Sequence, residues 1–405
     1  MIPDQWYVIF ESDALKPGQP EAVVRMGERL VLWRDANGQP VCLDDRCAHR
    51  GVALSVGHIK NGNLACAYHG LQYDNQGVCV KAPCVGADGK IPGSMKTRRW
   101  VVREENGLIW LWWGAERTEY PPVPWIEEIP KDHRRGITKT EVWPFNYVRC
   151  VENHLDVHHW AFVHDSIMLA VGESFREFNV TVEDEGLTIK TQGTLQRTNK
   201  HGKIAQRGWD FKAYCRLPNL SLIQVTPKFK SLVVQTPIDD ETTWILVRSF
   251  QTYSGIQPFK AMIDYYCITF LFSVPLHRQD FPLFHEQRPR QSGVGVNKLL
   301  PADAGIAKYL IARDRLLKEA KKKLAAEGSA MEEPWEAPLK EQRLPILQPA
   351  PAQQPSLLPA HARNIRTGAE ARSGKVAAWV LACLTYPLLV PSLIATQLLA
   401  WWDAP

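Results

Sequence analysis

The residues best suited to chemistry are a Cys-x-His pair and a Cys-x-x-His pair in the first quarter of the chain: Cys47 with His49, and Cys66 with His69. Two thiolates and two imidazoles are the ligands of a [2Fe–2S] cluster in which histidines replace two cysteines on one iron. A glycine follows each pair, where a loop must wrap closely around a cluster. Zinc also binds Cys2His2 sets, but it favours a Cys pair followed by a His pair. The pattern therefore predicts an iron–sulfur cluster, with zinc as the alternative.

A second group of possible ligands lies at residues 152–164, in the sequence E-N-H-L-D-V-H-H-W-A-F-V-H. On a helix, Asp156 and His159 would share a face, and His164 would lie little more than one turn beyond His159. Two histidines with a distant carboxylate form the triad that holds non-haem Fe(II) and leaves positions open for O2 and substrate. A solvated polar helix face is the alternative. The interleaved Leu, Val, Trp and Phe residues favour burial instead, where His and Asp groups need partners.

Both groups resemble the Rieske non-haem iron oxygenases, the family of ring-hydroxylating alpha subunits that includes vanillate O-demethylase and pheophorbide a oxygenase. C-A-H-R-G and C-A-Y-H-G are similar to its cluster loops, and residues 91–114, with a hairpin turn at Asn106-Gly107, to the closing strands of its Rieske domain. N-x-x-D-x-x-H-x4-H is similar to its catalytic helix. The resemblance implies that the two pairs bind the [2Fe–2S] cluster and that His159 and His164 bind one mononuclear Fe(II). It also implies that Asp156 carries the electron from a cluster histidine across a subunit boundary to His159.

Two other histidines compete for the ligand roles in the second group. His154 precedes His158 by four residues, which is a metal-binding spacing in other proteins. Neither matches the family pattern. We therefore interpret both as structural groups, or as groups that support the site from outside the ligand set.

The third ligand of the mononuclear iron must come from elsewhere in the chain, and spacing alone does not locate it. Five carboxylates are candidates: Asp239, Asp240, Asp264, Asp280 and Glu286. The segment around Asp280, H-R-Q-D-F-P-L-F-H-E-Q-R-P, resembles the family's ligand segment, and residues 300–317 resemble its terminal helix. On that resemblance we choose Asp280. It could instead be an ordinary residue at a helix start, and one residue can fill both roles.

The 405 residues predict two or three domains in an α+β protein. Residues 1–116 alternate apolar and polar positions between frequent turn residues, which indicates an all-β Rieske [2Fe–2S] domain. Residues 117–328 combine the iron motif with β-like stretches, and the resemblance implies an antiparallel sheet with helices as the catalytic domain. Residues 329–372 hold seven prolines and predict an extended linker.

The last segment, residues 373–405, has the composition of a membrane anchor, because residues 376–402 contain no charged side chain. A helix of that length would reach roughly 40 Å, more than the hydrocarbon core of about 30 Å. Two tryptophans at one end, with Arg372 and Lys375 at the other, would anchor it and place the catalytic domains on the cytoplasmic or equivalent side. A buried hairpin is the alternative. The apolar stretch Tyr265–Leu276 is too short to span.

Charge and cysteine use exclude other classes of protein. The formal net charge is +5 with dispersed Lys and Arg, so no nucleic-acid surface is expected. The cysteines show no disulfide framework spacing and the N-terminus lacks a signal peptide, which indicates a reducing compartment. Gly293-Val-Gly295 lacks the third glycine of a dinucleotide fingerprint. Electrons are therefore expected from an external ferredoxin or NAD(P)H-dependent reductase.

The sequence thus predicts a Rieske mono- or dioxygenase that hydroxylates or oxidatively demethylates a hydrophobic, ring-containing or lipid-like substrate. The resemblance implies a head-to-tail homotrimer. Leu71, after C-A-Y-H-G, is similar to the vanillate O-demethylase branch. Hydroxylation and demethylation share one iron chemistry, so the sequence does not separate them. The alternative is a membrane-bound Rieske electron carrier or redox sensor without oxygenase activity.

Overall fold

Antiparallel sheets are the framework of the chain that the computed structural model describes, namely residues 1–86, 89–132, 136–164, 175–195, 209–226, 229–251 and 274–326. The strands of the N-terminal part are β1 (Gln5–Glu11), β2 (Glu21–Arg25), β3 (Glu28–Arg34), β4 (Pro40–Asp44), β5 (His58–Lys60), β6 (Asn63–Ala65), β7 (Gln72–Tyr73), β8 (Cys79–Lys81), β9 (Arg99–Trp100), β10 (Val102–Glu105) and β11 (Leu108–Trp113). They pair in the orders β1-β11-β10, β2-β3-β4-β9 and β5-β6-β7-β8. The expected all-β N-terminal domain is confirmed.

The hairpin of β10 and β11 shows why these strands form where they do. Asn106 and Gly107 both adopt left-handed backbone angles, with φ of 56° and 71°. This is the geometry of a two-residue turn whose twist matches the flanking strands. All six residues of β11 are buried, because one side packs inside the N-terminal sheets and the other against the rest of the protein.

A seven-stranded sheet follows, built from β12 (Gly136–Trp143), β13 (Phe175–Glu183), β14 (Thr188–Leu195), β15 (Trp209–Arg216), β16 (Leu220–Thr226), β17 (Phe229–Pro237) and β18 (Thr243–Gln251). Its order is β12-β18-β17-β16-β15-β14-β13. The chain therefore crosses from one edge of the sheet to the other after β12, and then returns strand by strand. The segment that makes this crossing carries the second group of candidate ligands.

Alternate residues along these strands serve two different cores, as the pleat requires. Val234 and Leu246 pack with Trp6, Trp110 and other residues of the N-terminal sheets. Their chain neighbours, Val233 and Ile245, face the opposite side. The seven-stranded sheet is thus covered on one face by the N-terminal sheets and on the other by helices.

The described helices are α1 (Tyr147–Leu155), α2 (Trp160–Val163), α3 (Val274–Glu286) and α4 (Ala304–Ala326). The Asn146 side chain caps α1 by accepting from the N–H of Val148 at 3.0 Å. Val151 and Tyr309 lie in one apolar core that joins α1 and α4 to the sheet. Because α1 is fixed in this way, the candidate ligands that follow it in the chain have a defined position relative to the sheet.

Within the described ranges, no helix is long and apolar enough to cross a membrane. The predicted linker (329–372) and anchor (373–405) lie outside the described residues, as do residues 265–273 of the apolar stretch Tyr265–Leu276.

Candidate metal centres

The two Cys–His pairs lie on two loops with the same backbone pattern. In the first loop, the Cys47 N–H donates to the carbonyl oxygen five residues later at 2.8 Å, and the Cys47 carbonyl accepts from the Gly51 N–H at 2.8 Å. Cys66 and Gly70 repeat the pattern at 2.8 and 3.0 Å. The two glycines have φ of +72° and +68°, which a side chain would strain. Each loop therefore turns back tightly and presents its Cys and His together.

The cysteines of these loops are more deeply buried than the histidines. Cys47 and Cys66 are buried, whereas His49 is exposed and His69 is partly exposed. The two imidazole rings lie 4.8 Å apart between centroids. Burial raises the pKa of the Cys66 thiol, and the neighbouring Cys47 raises it further, while the backbone N–H groups of the loop oppose this.

This arrangement fits a [2Fe–2S] cluster. The thiols would hold an inner iron and the imidazoles an outer one, because the two kinds of ligand are segregated. These four side chains do not form one of the described groups whose ligand atoms converge closely enough for a single metal ion. A single zinc ion would need such convergence, so the geometry favours the cluster over the zinc alternative.

Tyr73 is a residue of this site that the sequence reasoning missed. Its hydroxyl oxygen lies 3.2 Å from Cys47 Sγ and accepts from the Ala48 N–H at 3.1 Å. In the free thiol either atom can donate, whereas a thiolate bound to a cluster has no proton, so the hydroxyl would then donate to the sulfur. The available signal was a tyrosine seven residues after Cys66, on the strand that leaves the second loop.

Three side chains meet at the second site: His159, His164 and Asp280. Their ligand atoms all lie within 4.8 Å of one another. Asp280 Oδ1 is 3.3 Å from His164 Nε2 and 4.0 Å from His159 Nε2. His164 and Asp280 are buried, with His159 partly so. Two imidazole nitrogens and one carboxylate oxygen around one point fit a mononuclear iron with open positions.

The other candidates stand apart from this group. Asp239, Asp240 and Glu286 are not part of it, and Asp264 lies outside the described residues. His154 is buried with Nδ1 2.5 Å from Gln235 Nε2. The His158 ring packs 4.8 Å from that of Phe178. These contacts agree with the interpretation of both histidines as supporting groups.

The expectation that one helix carries Asp156, His159 and His164 is wrong. Helix α1 ends at Leu155, Asp156 has extended backbone angles, and α2 begins at Trp160. The reason is local, because Asp156 Oδ1 accepts from the N–H groups of His158 and His159 at 3.0 and 3.2 Å. A short Asp side chain that bonds to the backbone just ahead competes with helix continuation.

Both histidines of the group have a partner for Nδ1, which leaves Nε2 facing Asp280. His159 Nδ1 lies 2.5 Å from the main-chain oxygen of Asp156. His164 Nδ1 lies 2.9 Å from Gln279 Oε1, a contact that the sequence did not indicate. Such partners fix the tautomer and the ring orientation of a metal-binding histidine.

The carboxylate of Asp156 occupies the edge of this site. Its side chain is 31% exposed, and Oδ2 lies 3.7 Å from His159 Nδ1. Burial would raise the pKa of Asp156, but contacts with His159 and two backbone N–H groups together lower it. Asp156 is therefore an anion that contacts His159 and is partly exposed at the surface.

A cavity of about 530 Å³ opens beside Asp156, His159 and Asp280. Its lining includes a buried ion pair in which Arg149 donates to Glu152 at 2.9 Å. Arg149 also donates to the carbonyl oxygen of residue 289 at 2.7 Å, and so holds the loop that follows α3. The cavity is thus lined in part by a buried ion pair, and Arg149 of this pair holds the loop that follows the helix carrying Asp280.

Comparisons with known proteins identify the domain that carries the cluster loops. The family model described as "Rieske [2Fe-2S] domain" matches residues 5–98. TIC 55 of Pisum sativum, described as chloroplastic, is 33% identical over 166 residues, which cover 40% of this chain and 30% of that protein. The oxygenase component of 3-ketosteroid-9-alpha-monooxygenase from Rhodococcus rhodochrous is 31% identical over 167 residues, which cover 39% and 42%. The chain thus matches less than half the length of these relatives.

Solved structures share the fold over a longer stretch. NdmA of Pseudomonas putida CBB5 has a TM-score of 0.61 at 22% identity, covering 79% of this chain and 92% of that one. Dicamba monooxygenase bound to 3,6-dichlorosalicylic acid has a TM-score of 0.60 at 21% identity, covering 79% and 99%. The chain therefore contains a Rieske [2Fe-2S] domain at residues 5–98 and shares the overall fold of these solved structures.

Proposed function

We propose that this protein is an oxygenase that uses O2 and externally supplied electrons to hydroxylate or oxidatively demethylate a hydrophobic substrate. The observation that carries the proposal is the meeting of His159, His164 and Asp280, from segments more than 110 residues apart, around one point. A polar helix face would not recruit a buried carboxylate from a distant helix, because burying an uncompensated charge is costly. A metal ion would compensate it.

The residues at the two centres would hold different groups. Cys47, Cys66, His49 and His69 would hold the [2Fe–2S] cluster, and the triad would hold the mononuclear Fe(II). When bound, the cluster supplies single electrons, and the iron supplies open positions at which O2 is activated beside the substrate. Tyr73 contacts Cys47, and the carbonyl oxygen of Asp156 contacts His159, so both would help to orient these ligands.

Asp156 is proposed as the bridge between the two centres. It contacts His159 on one side and is exposed to the cavity on the other. An exposed cluster histidine of a second copy could donate to this carboxylate, which would accept its hydrogen bond. Apolar side chains around the cavity, including exposed Leu283 and Leu299, support contact with another subunit. We therefore propose a head-to-tail homotrimer.

The electron donor is proposed to be a ferredoxin or an NAD(P)H-dependent reductase. The chain offers no dinucleotide fingerprint at Gly293-Val-Gly295, which is the segment most similar to one. His49 and His69 are at the surface, where a donor could approach them. A pocket around bound nicotinamide or flavin is therefore not needed in this chain.

The substrate is proposed to be a ring-containing hydrophobic molecule. Several relatives carry ring substrates in their names, among them 3-ketosteroid-9-alpha-monooxygenase, cholesterol 7-desaturase and 4beta-methylsterol monooxygenase. Next to the triad, the Trp160 ring lies 5.0 Å from the ring of His164 and 5.0 Å from that of Phe211. The rings of Trp160 and Phe211 would exclude water from this side of the triad and favour an apolar ligand.

The C-terminal segment is proposed to anchor the protein in a membrane by a single helix at residues 373–405. The proposal rests on its uncharged stretch and its terminal tryptophans. The catalytic part would then lie on the cytoplasmic or equivalent side. Such an anchor would bring the site close to lipid-soluble substrates.

Iron and acid-labile sulfide, counted per chain after anaerobic reconstitution with Fe(II), test the oxygenase proposal. We expect about three irons to two sulfides, from one cluster and one mononuclear site. Asp280→Ala should lower this ratio to about two to two while the cluster absorbance is unchanged. A two-to-two ratio in the unaltered protein would instead indicate the alternative, an electron carrier or redox sensor.

A further inference from the structure

The imidazole of His164 is held between two consecutive residues of α3. Gln279 Oε1 lies 2.9 Å from Nδ1, and Asp280 Oδ1 lies 3.3 Å from Nε2 of the same ring. His164 itself is buried, so both nitrogens must find their partners inside the protein. Neighbouring helix residues ordinarily point in different directions. Here that divergence lets them reach the two opposite nitrogens of one ring.

The chemistry of the amide decides where the proton of His164 lies. A carboxamide oxygen only accepts hydrogen bonds, so the contact with Gln279 requires the proton on Nδ1. The lone pair is then on Nε2, which faces Asp280 and the point shared with His159. This is the form of histidine that binds a metal ion.

The two histidines differ in what orients them. For His159 the partner of Nδ1 is the main-chain oxygen of Asp156, within the same turn of chain. For His164 the partner is a side chain 115 residues away, on the helix that also carries Asp280. The orientation of His164 therefore depends on the docking of α3.

We propose that Gln279 is a positioning residue for the mononuclear site, which sets the tautomer and the orientation of His164. Helix α3 thus contributes twice: Asp280 is a ligand, and Gln279 orients the ligand His164. The inference rests on the proposed function, because it takes His164 to bind the metal.

Binding of Co(II), as a stand-in for Fe(II), tests the inference on the full chain with its cluster oxidised. Gln279→Leu removes the acceptor and should weaken Co(II) binding roughly 10- to 100-fold, the loss that follows when such a supporting partner is removed. Gln279→Glu keeps an acceptor in place and should bind Co(II) at least as tightly as the native protein. Gln39→Leu, the same change at an exposed turn, should leave binding unchanged.

The EPR spectrum of bound high-spin Co(II) provides a second readout, since the oxidised cluster is EPR-silent. We expect an altered spectrum in Gln279→Leu, measured at saturating Co(II), and the native spectrum in Gln279→Glu. Cluster absorbance and thermal unfolding show whether each variant is folded.

Two outcomes would overturn the inference alone: native affinity in Gln279→Leu, or losses in a folded Gln279→Glu equal to those in Gln279→Leu. The second would mean that the native amide donates to His164 instead of accepting. Failure of the native protein to bind more Co(II) than Asp280→Ala would overturn the proposed function, and this inference with it.

Discussion

Removing the Tyr73 hydroxyl should lower the reduction potential of the cluster. In Tyr73→Phe, the ring remains in its apolar core while Cys47 Sγ loses a hydrogen-bond donor at 3.2 Å. Reduction adds negative charge to the cluster, so the donor stabilises the reduced form more than the oxidised one. A hydrogen bond to a charged group contributes about 2 kcal/mol and one to a neutral group about 1 kcal/mol. We take the difference, about 1 kcal/mol, as the extra stabilisation of the reduced state.

That difference corresponds to about 40 mV for a one-electron couple, in which 59 mV is a tenfold change in the equilibrium constant. A spectroelectrochemical titration of the cluster absorbance on the full chain measures it. Tyr68→Phe is the matched control, because its ring packs 3.9 Å from that of His69 and its hydroxyl is 3.5 Å from an Arg50 nitrogen, not from a ligand sulfur. An unchanged potential in Tyr73→Phe, or an equal fall in both variants, would refute the reasoning.

Three further predictions concern the bridge, the backbone and a buried carboxylate. Asp156→Asn should keep both metal contents but slow reoxidation of the reduced cluster by O2 with substrate, measured by stopped-flow absorbance; an unchanged rate would exclude the bridge. Gly77→Ala should cost more than the roughly 1–2 kcal/mol of a left-handed alanine, because its Cβ would also clash with the Thr97 carbonyl oxygen. Gly38→Ala has nearly the same φ and open space, so its cost in urea unfolding should stay near 1–2 kcal/mol. Burial raises the pKa of Glu152 despite its polar partners. The native protein should therefore lose stability relative to Glu152→Gln as pH rises through that raised pKa. A difference in unfolding free energy that does not change with pH would contradict this.

The cluster site could be predicted from the sequence because each Cys–His pair lies within one short loop. The spacing from Cys47 to His49 and from Cys66 to His69 fixes which side chains share a loop, whatever the rest of the fold does. Strand alternation and the Asn106-Gly107 turn were equally local, and the structure confirms them. The helix expected across the second group failed at Asp156. The helix ends there because the Asp156 side chain accepts hydrogen bonds from two backbone N–H groups. The spacing of apolar residues in the sequence does not reveal such hydrogen bonds.

Residue types and spacing alone indicate the kind of chemistry, because two thiolates, two pairs of imidazoles and nearby carboxylates can be recognised in the sequence. Spacing could not locate the carboxylate that meets the histidines, because Asp280 is 116 residues from His164; the resemblance singled it out among five candidates, and the tertiary fold brings it to them. The same holds for the contacts of Tyr73 and Gln279. Each hydrogen bond depends on positions set to a few tenths of an ångström by packing between elements. Such positions follow from the whole core, in which α3, the crossing segment and the seven-stranded sheet must fit together at once.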